Sequence, residues 1–209
     1  YQNLKDLEAD ADFAIVDANV LYNGRVAFED NLVFTAPDGT KIGVFGLDTP
    51  ETATKAHPAK IQGVTFLAGE DLYDCAQEQV DALTAEGCNY VICLGHLGID
   101  DESAGNRSID LLENVDGIDL FIDGHSHTVM ENKQVADASG KAVTLTQTGS
   151  YFKNVGKMTI GADGAITTEL IHTYEGADAA VAATAAEWIS AVDDMLGEEI
   201  AVGDSKFYI

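Results

Sequence analysis

Short apolar runs closed by glycine set the rhythm of this chain. Lys41 to Leu47 is apolar at nearly every position, Tyr90 to Leu94 is a second such run, and Leu120 to Ile122 a third. Continuous apolar runs of this length predict strands buried on both faces, as in a parallel sheet. Asn31 to Ala36 leads into the first run across Pro37-Asp38-Gly39, a hairpin signal. Between the runs, Asp71 to Glu86 places Leu72, Cys75, Ala76, Val80 and Leu83 at helical spacing, and Gly87 supplies a stop. Ser108 to Val115 predicts a shorter helix, Leu4 to Asp10 another, and Phe13 to Ala18 a strand. Residues 49–69 read as irregular. Strand, helix, strand, helix, strand is the order of an α/β layered domain.

After residue 133 the pattern changes. Alternation broken by Gly140, Gly149, Gly156 and Asp163-Gly164 predicts three or four antiparallel strands up to residue 175. Ala177 to Leu196 is alanine-rich and helical, with Val181, Trp188, Ile189, Val192, Met195 and Leu196 on one stripe. That stripe is expected to be poorly covered, a setting that favours self-association.

Composition narrows the function. Hydrophobic residues are 46% of 209, enough for a core and against a disordered tail. Lys and Arg number 11 against 36 Asp and Glu, a net charge of -25. Such a field repels nucleic-acid polymers and anionic membranes. No apolar run reaches the length of a membrane span. Cys75, Cys88 and Cys93 form neither a zinc-ribbon spacing nor a disulfide framework. The chain opens at Tyr1 rather than Met, so its beginning, with any signal peptide, is expected upstream.

Candidate chemistry sits at two strand ends. Tyr90 to Leu94 runs into Gly95-His96-Leu97-Gly98, and Leu120 to Ile122 into Asp123-Gly124-His125-Ser126-His127. In an extended chain, residues two apart share a side, so His125 and His127 are expected side by side. Open α/β sheets carry their chemistry at this carboxyl edge. Neutral imidazole is a common metal ligand. A single histidine at a strand end is ordinarily structural; three of the chain's five histidines at two such ends, each end opened by a glycine, point to a metal site. His57, before Pro58, and His172 lack that setting and read as structural or solvent-facing. Asp100 and Asp101 could orient a ligand histidine, but a solvated acidic loop is the simpler reading.

Gly95 to Gly98 and Gly124 to Thr128 resemble the last two metal motifs of the calcineurin-like metallophosphoesterases, within them the branch of 5'-nucleotidases, UDP-sugar hydrolases and 2',3'-cyclic-nucleotide phosphodiesterases. Ala18-Asn19-Val20, Gly43 to Thr52 and Thr146 to Ser150 resemble that branch in the same order, so the likeness covers roughly residues 1–175. The resemblance implies an α/β fold, the C-terminal half of a four-layer α/β/β/α sandwich, over residues 1–175. Residues 176–209 would be an interdomain helix toward a separate substrate-recognition domain. It implies two divalent ions (Zn, Mn or Fe), with His96 and His125 on one and His127 on the other. It also implies a nucleotide or nucleotide-sugar substrate and an extracellular, cell-surface or periplasmic location.

The family's Asp-x-His, bridging Asp and Asn-His motifs should precede Tyr1, so no catalytic residue is expected within this chain and the chain alone should be inactive. Asp123-Gly124-His125 and Gly105-Asn106-Arg107 imitate two of those motifs by coincidence. A closed structural zinc site fits three histidines less well than an open one. A fold-retaining interaction domain without chemistry is the alternative from a different class, and the sequence upstream of Tyr1 would separate the two.

Overall fold

The computed structural model describes residues 1–197. In chain order the elements are α1 (Gln2–Asp10), β1 (Val20–Tyr22), β2 (Arg25–Val26), β3 (Asn31–Thr35), β4 (Lys41–Asp48), α2 (Thr52–Lys55), β5 (Val64–Phe66), α3 (Glu70–Ala85), β6 (Tyr90–His96), α4 (Ser108–Asn114), β7 (Leu120–Asp123), β8 (Val129–Ala136), β9 (Ala142–Thr148), β10 (Val155–Ile160), β11 (Ile166–Ile171) and α5 (Ala179–Leu196). The architecture is mixed α/β.

The centre is a six-stranded sheet in the order β3-β4-β6-β7-β9-β8. Strands β4, β6, β7 and β9 run parallel, and β3 and β8 close the two edges antiparallel. The apolar runs therefore become the inner parallel strands. Alternation along them sends Phe45, Leu47, Val91, Cys93, Phe121, Val143 and Leu145 to one face, all buried, where Leu72, Ala76, Val80 and Leu83 of α3 and Leu111 and Leu112 of α4 meet them. Gly43 is required there: a Cβ would stand 2.8 Å from the Leu83 side chain. Cys93 is fully buried, which pushes its thiol well above the ordinary range, and Cys75 is pushed up to about 12 by the same cause. Both are inert core residues.

Three expectations change in three dimensions. Phe13 to Ala18 forms no strand beyond one bridge, Val16 to Glu29. The Asp17 carboxylate accepts from the amides of Asn19 and Val20, a local turn that competes with extended pairing. A small sheet, β2-β1-β5, arises instead from residues 20–26, given no element in the sequence reading, and from Val64–Phe66, inside the segment read as irregular. The strands after residue 128 number four, but β9 joins the parallel set beside β7 and only β10 and β11 make a separate two-stranded sheet. A bulge between Met130 and Lys133 explains how that hairpin attaches: Glu131 accepts from the Thr168 hydroxyl at 2.7 Å and from the Leu170 amide at 3.0 Å.

The chain divides into two compact units, Tyr1–His172 and Thr173–Ile209. In the second, Asp178 caps α5 by accepting from the amides of Ala180 and Val181. The expected stripe is present on that helix and is exposed, with Trp188 at 71%. The expected linker continues to residue 209, and residues 198–209 lie outside those described. No helix among the described residues is long and apolar enough to cross a membrane.

Candidate functional site

The parallel strands end side by side. In register, Asp48 closing β4 stands beside His96 closing β6, and β7 ends at Asp123, directly before the segment Gly124 to Thr128. That segment is not extended. Ser126 donates its amide to the Gly124 carbonyl at 3.0 Å, and both His125 (φ 74°) and His127 (φ 54°) take left-handed backbone. The sequence reading of two imidazoles on one side of a strand is therefore replaced by a tight turn. Left-handed backbone at two non-glycine residues is costly and concentrates at functional sites.

His96 and His125 come together, ring centroids 5.1 Å apart and nearly edge-on. Gly124 makes the approach available, because a Cβ there would sit 2.8 Å from Nδ1 of His96. Gly98 does the same for the turn: its Cβ would fall 3.1 Å from Cδ2 of His125 and from the Ser126 amide nitrogen. His127 shares the turn with His125 but is exposed. His57 instead accepts from the Ala59 amide through Nδ1 at the head of a short 3-10 turn, and His172 follows the end of β11.

Three residues without a role in the sequence reading build this turn. Glu51 reaches Nε2 of His125 at 3.0 Å through one carboxylate oxygen and accepts from the Ser103 hydroxyl at 2.5 Å through the other. Lys55 first, then Ser103 and His125, hold the Glu51 carboxyl down to about 2. Asp123 is buried and accepts from the amides of Leu97 and Gly98, tying the end of β6 to the end of β7; burial is the main influence on its carboxyl and raises it. Gln147, 1% exposed, accepts from the Thr128 amide at 2.6 Å and from the Ser126 hydroxyl at 3.1 Å. Their signals were polar residues at the ends of apolar strands and inside segments already set apart by resemblance. Asp101 pairs with Arg107, which also forks onto Asp110, so this acidic loop is held by its own ion pairs. Asn106 accepts from the Gly69 amide.

The chain is similar to nucleotide-hydrolysing proteins. It is 33% identical over 135 residues to the trifunctional nucleotide phosphoesterase protein YfkN of Bacillus subtilis, covering 63% of this chain and 8% of that one. It is 24% identical over 214 residues to the 5'-nucleotidase of Mus musculus, covering 90% of this chain and 35% of that one. The crystal structure of a 5'-nucleotidase precursor from Thermus thermophilus superposes with a TM-score of 0.75 at 26% identity, covering 95% of this chain and 42% of that one. No family model matches the chain.

In sequence and in fold the chain is similar to the calcineurin-like metallophosphoesterase/5'-nucleotidase superfamily. It spans less than half the length of these relatives. Against the superfamily's metal chemistry, the donor type fits: two imidazoles face each other at a strand edge, and a third lies two residues along the same turn. The set is incomplete by itself, since no group of three or more His, Cys, Asp or Glu among the described residues is arranged to hold an ion.

Proposed function

We propose that the protein hydrolyses nucleotide phosphoesters with two divalent metal ions, in the manner of a 5'-nucleotidase, and that this chain carries the second half of the metal site. His96 and His125 would hold one ion and His127 the other. The observation that supports the reading most is the His96–His125 pair, 5.1 Å between ring centroids, at the edge where the parallel strands end. Two bound ions about 3.5–4 Å apart supply a hydroxide at neutral pH and a clamp on the phosphoryl oxygens. Zn, Mn and Fe all accept imidazole.

The chain's own residues bind and orient. With the Glu51 carboxylate on Nε2, the His125 proton sits there and Nδ1 presents its lone pair. Asp123 and Gln147 would keep the two glycine-histidine segments in mutual register, which limits the movement the imidazoles need to share an ion. The remaining ligands and the general acid are assigned to the length of the relatives that this chain does not span. On that ground the chain alone is expected to be inactive. Residues 1–175 are assigned to the second half of a four-layer α/β/β/α catalytic domain. Residues 176–209 are assigned to a helical link toward a substrate-recognition domain. A location outside the cell or in the periplasm follows from the same kinship.

The test is hydrolysis of AMP, UDP-glucose and 2',3'-cyclic AMP with Mn, Zn or Co, on this chain and on the whole protein that contains it. Turnover by the whole protein, abolished by His125→Ala, is expected. Strong turnover by this chain alone would overturn the assignment of the missing ligands. No turnover by the whole protein would favour a non-catalytic interaction domain, the reading for which the incomplete donor set speaks.

A further inference from the structure

Acidic side chains are unevenly spread around the histidine turn. The chain holds 36 Asp and Glu against 11 Lys and Arg, yet residues 124–130 and 138–162 hold no acid at all. The first stretch is the histidine turn with the start of β8. The second contains β9 and the turn after it, and carries Lys141, Lys153 and Lys157. Elsewhere on the same edge the balance is reversed. Asp48 closes β4, Glu51 follows it, and Asp100, Asp101 and Glu102 are exposed in the loop after β6. The parallel strands lie in the order β4-β6-β7-β9. Acid therefore crowds the β4 and β6 side of the histidine pair and is absent from the β9 side.

The cations divide in the same way. On the acidic side, Lys55 is bound to Glu51 and faces Asp100 and Glu102, while Arg107 is held by Asp101 and Asp110. On the other side, Lys141 pairs with Asp119 before β9 begins, and Lys157 pairs with Glu169 on the two-stranded sheet. Lys153 is exposed and makes no ion pair among the described residues. Its turn is held at the end of β9: the Asn154 side chain donates to the Thr148 carbonyl at 3.0 Å, and the Lys153 amide to the Ser150 carbonyl at 3.3 Å. Tyr151 and Phe152 take left-handed backbone just before it, a cost that concentrates at functional sites. The same turn lies against the histidines. A Cβ at Gly149 would fall 3.8 Å from the His127 carbonyl oxygen, and Gln147 holds Ser126 and Thr128.

We propose that Lys153 draws the doubly charged phosphate of the substrate to the histidine site, so that the ester enters from the β9 side. The proposal rests on the phosphoester reading above and concerns the phosphate alone. Charge decides where an anion can approach. At net -25 the chain repels a phosphate over most of its surface. An unpaired ammonium beside an acid-free stretch is the exception. One such charge about 8 Å from a phosphate dianion strengthens binding roughly sixfold even in bulk water. Its field reaches about 10 Å at 0.1 M salt. Lysine is a point charge on a flexible stem, which suits guiding a phosphate more than fixing it in one geometry.

The experiment uses the whole protein with Mn. Inorganic phosphate is titrated calorimetrically, and kcat and KM are measured for AMP, each at low and at high salt. Lys153→Gln is expected to weaken phosphate binding about fivefold at low salt, with the loss for AMP falling on KM rather than kcat. Lys153→Glu should weaken it about 25-fold, and Lys153→Arg should keep the wild-type values. These differences should vanish in about 1 M salt, where screening acts within about 3 Å. Lys41→Gln removes the same charge at the start of β4, the opposite edge of the same sheet, and should match wild type. Phosphate affinity unchanged in Lys153→Glu overturns the proposal. So does an equal loss in Lys41→Gln, since net charge alone would then account for it. A loss that persists in about 1 M salt also overturns it, because it marks a structural role. Absence of AMP turnover would fell the catalytic reading, while the phosphate titration would still decide the entrance.

Discussion

Val91 and Leu94 stand on the same central strand, β6, and meet opposite surroundings. Val91 is 3% exposed beneath α3, whereas Leu94 is 42% exposed on the other side of the sheet. Across the sheet the contrast is one of degree. On the helical face Phe45, Cys93, Phe121, Val143 and Leu145 have no exposure at all. On the opposite face Ile92 and Leu120 are buried as well, but Ile42, Val44 and Ile122 are half-buried and Phe34, on β3, is 55% exposed. Cover there is local. At one end the segment Val16–Ala18 runs across Gly46. At the other, β10 and β11 lie against β8 and β9, leaving a cleft of about 100 Å³ lined by Ile122, Thr146, Met158 and Thr168 among others. Inner parallel strands are normally covered on both faces. A second sheet over this face is what the proposed four-layer sandwich would supply.

Substitutions can break or sharpen that contrast. The largest effect is expected from Phe121→Ala, at about 3–5 kcal/mol of lost stability in urea unfolding. Leu94→Ala in the same chain should cost under about 1 kcal/mol, because little of its area is withdrawn from water. Equal losses would show that the two faces are energetically alike.

Next come the glycines that admit close contacts on each face. A Cβ at Gly95 would stand 2.3 Å from the Phe121 ring, and one at Gly46 2.0 Å from the Val16 carbonyl oxygen. Gly95→Ala and Gly46→Ala are each expected to cost about 1–3 kcal/mol. Tolerance of Gly46→Ala would mean that the 16–18 segment does not seal the second face.

A smaller effect should appear with pH. Burial, reinforced by nearby Asp48, pushes the Asp17 carboxyl up to about 7 against the lowering effect of its two amide donors. The folded state therefore holds this proton more tightly than the unfolded state. Stability from this group is full below the ordinary carboxylate pKa of 3.8, declines as pH rises toward about 7, and is flat beyond. Asp17→Asn should remove that part of the slope, read as the difference between variant and wild-type urea midpoints from pH 4.5 to 8.5. Parallel slopes would contradict it.

The smallest effect in this chain is expected from Leu94→Lys, within about 0.5 kcal/mol. In the whole protein the same change should cost several times more if another layer covers β6. A neutral result in both would remove the support this face lends to the four-layer assignment.

The inner strands and the two helices between them were legible because continuous apolar runs and helical spacing are local properties of the chain. The two glycine-histidine ends were legible for a similar reason: small residues permit close approach, and imidazoles beside them carry recognisable chemistry. Pairing was not local. Nothing near β9 announced that it would lie parallel to β7 rather than extend an antiparallel run, since a strand's partner is chosen by which buried faces match across long separations. The same holds at the site. Glu51 lies 74 residues before His125, and Gln147 lies 21 after Ser126, so only folding brings them into hydrogen-bonding distance. The turn that sets His125 and His127 in left-handed backbone was also decided in three dimensions, where Gln147 and Asp123 could offset its cost with buried hydrogen bonds.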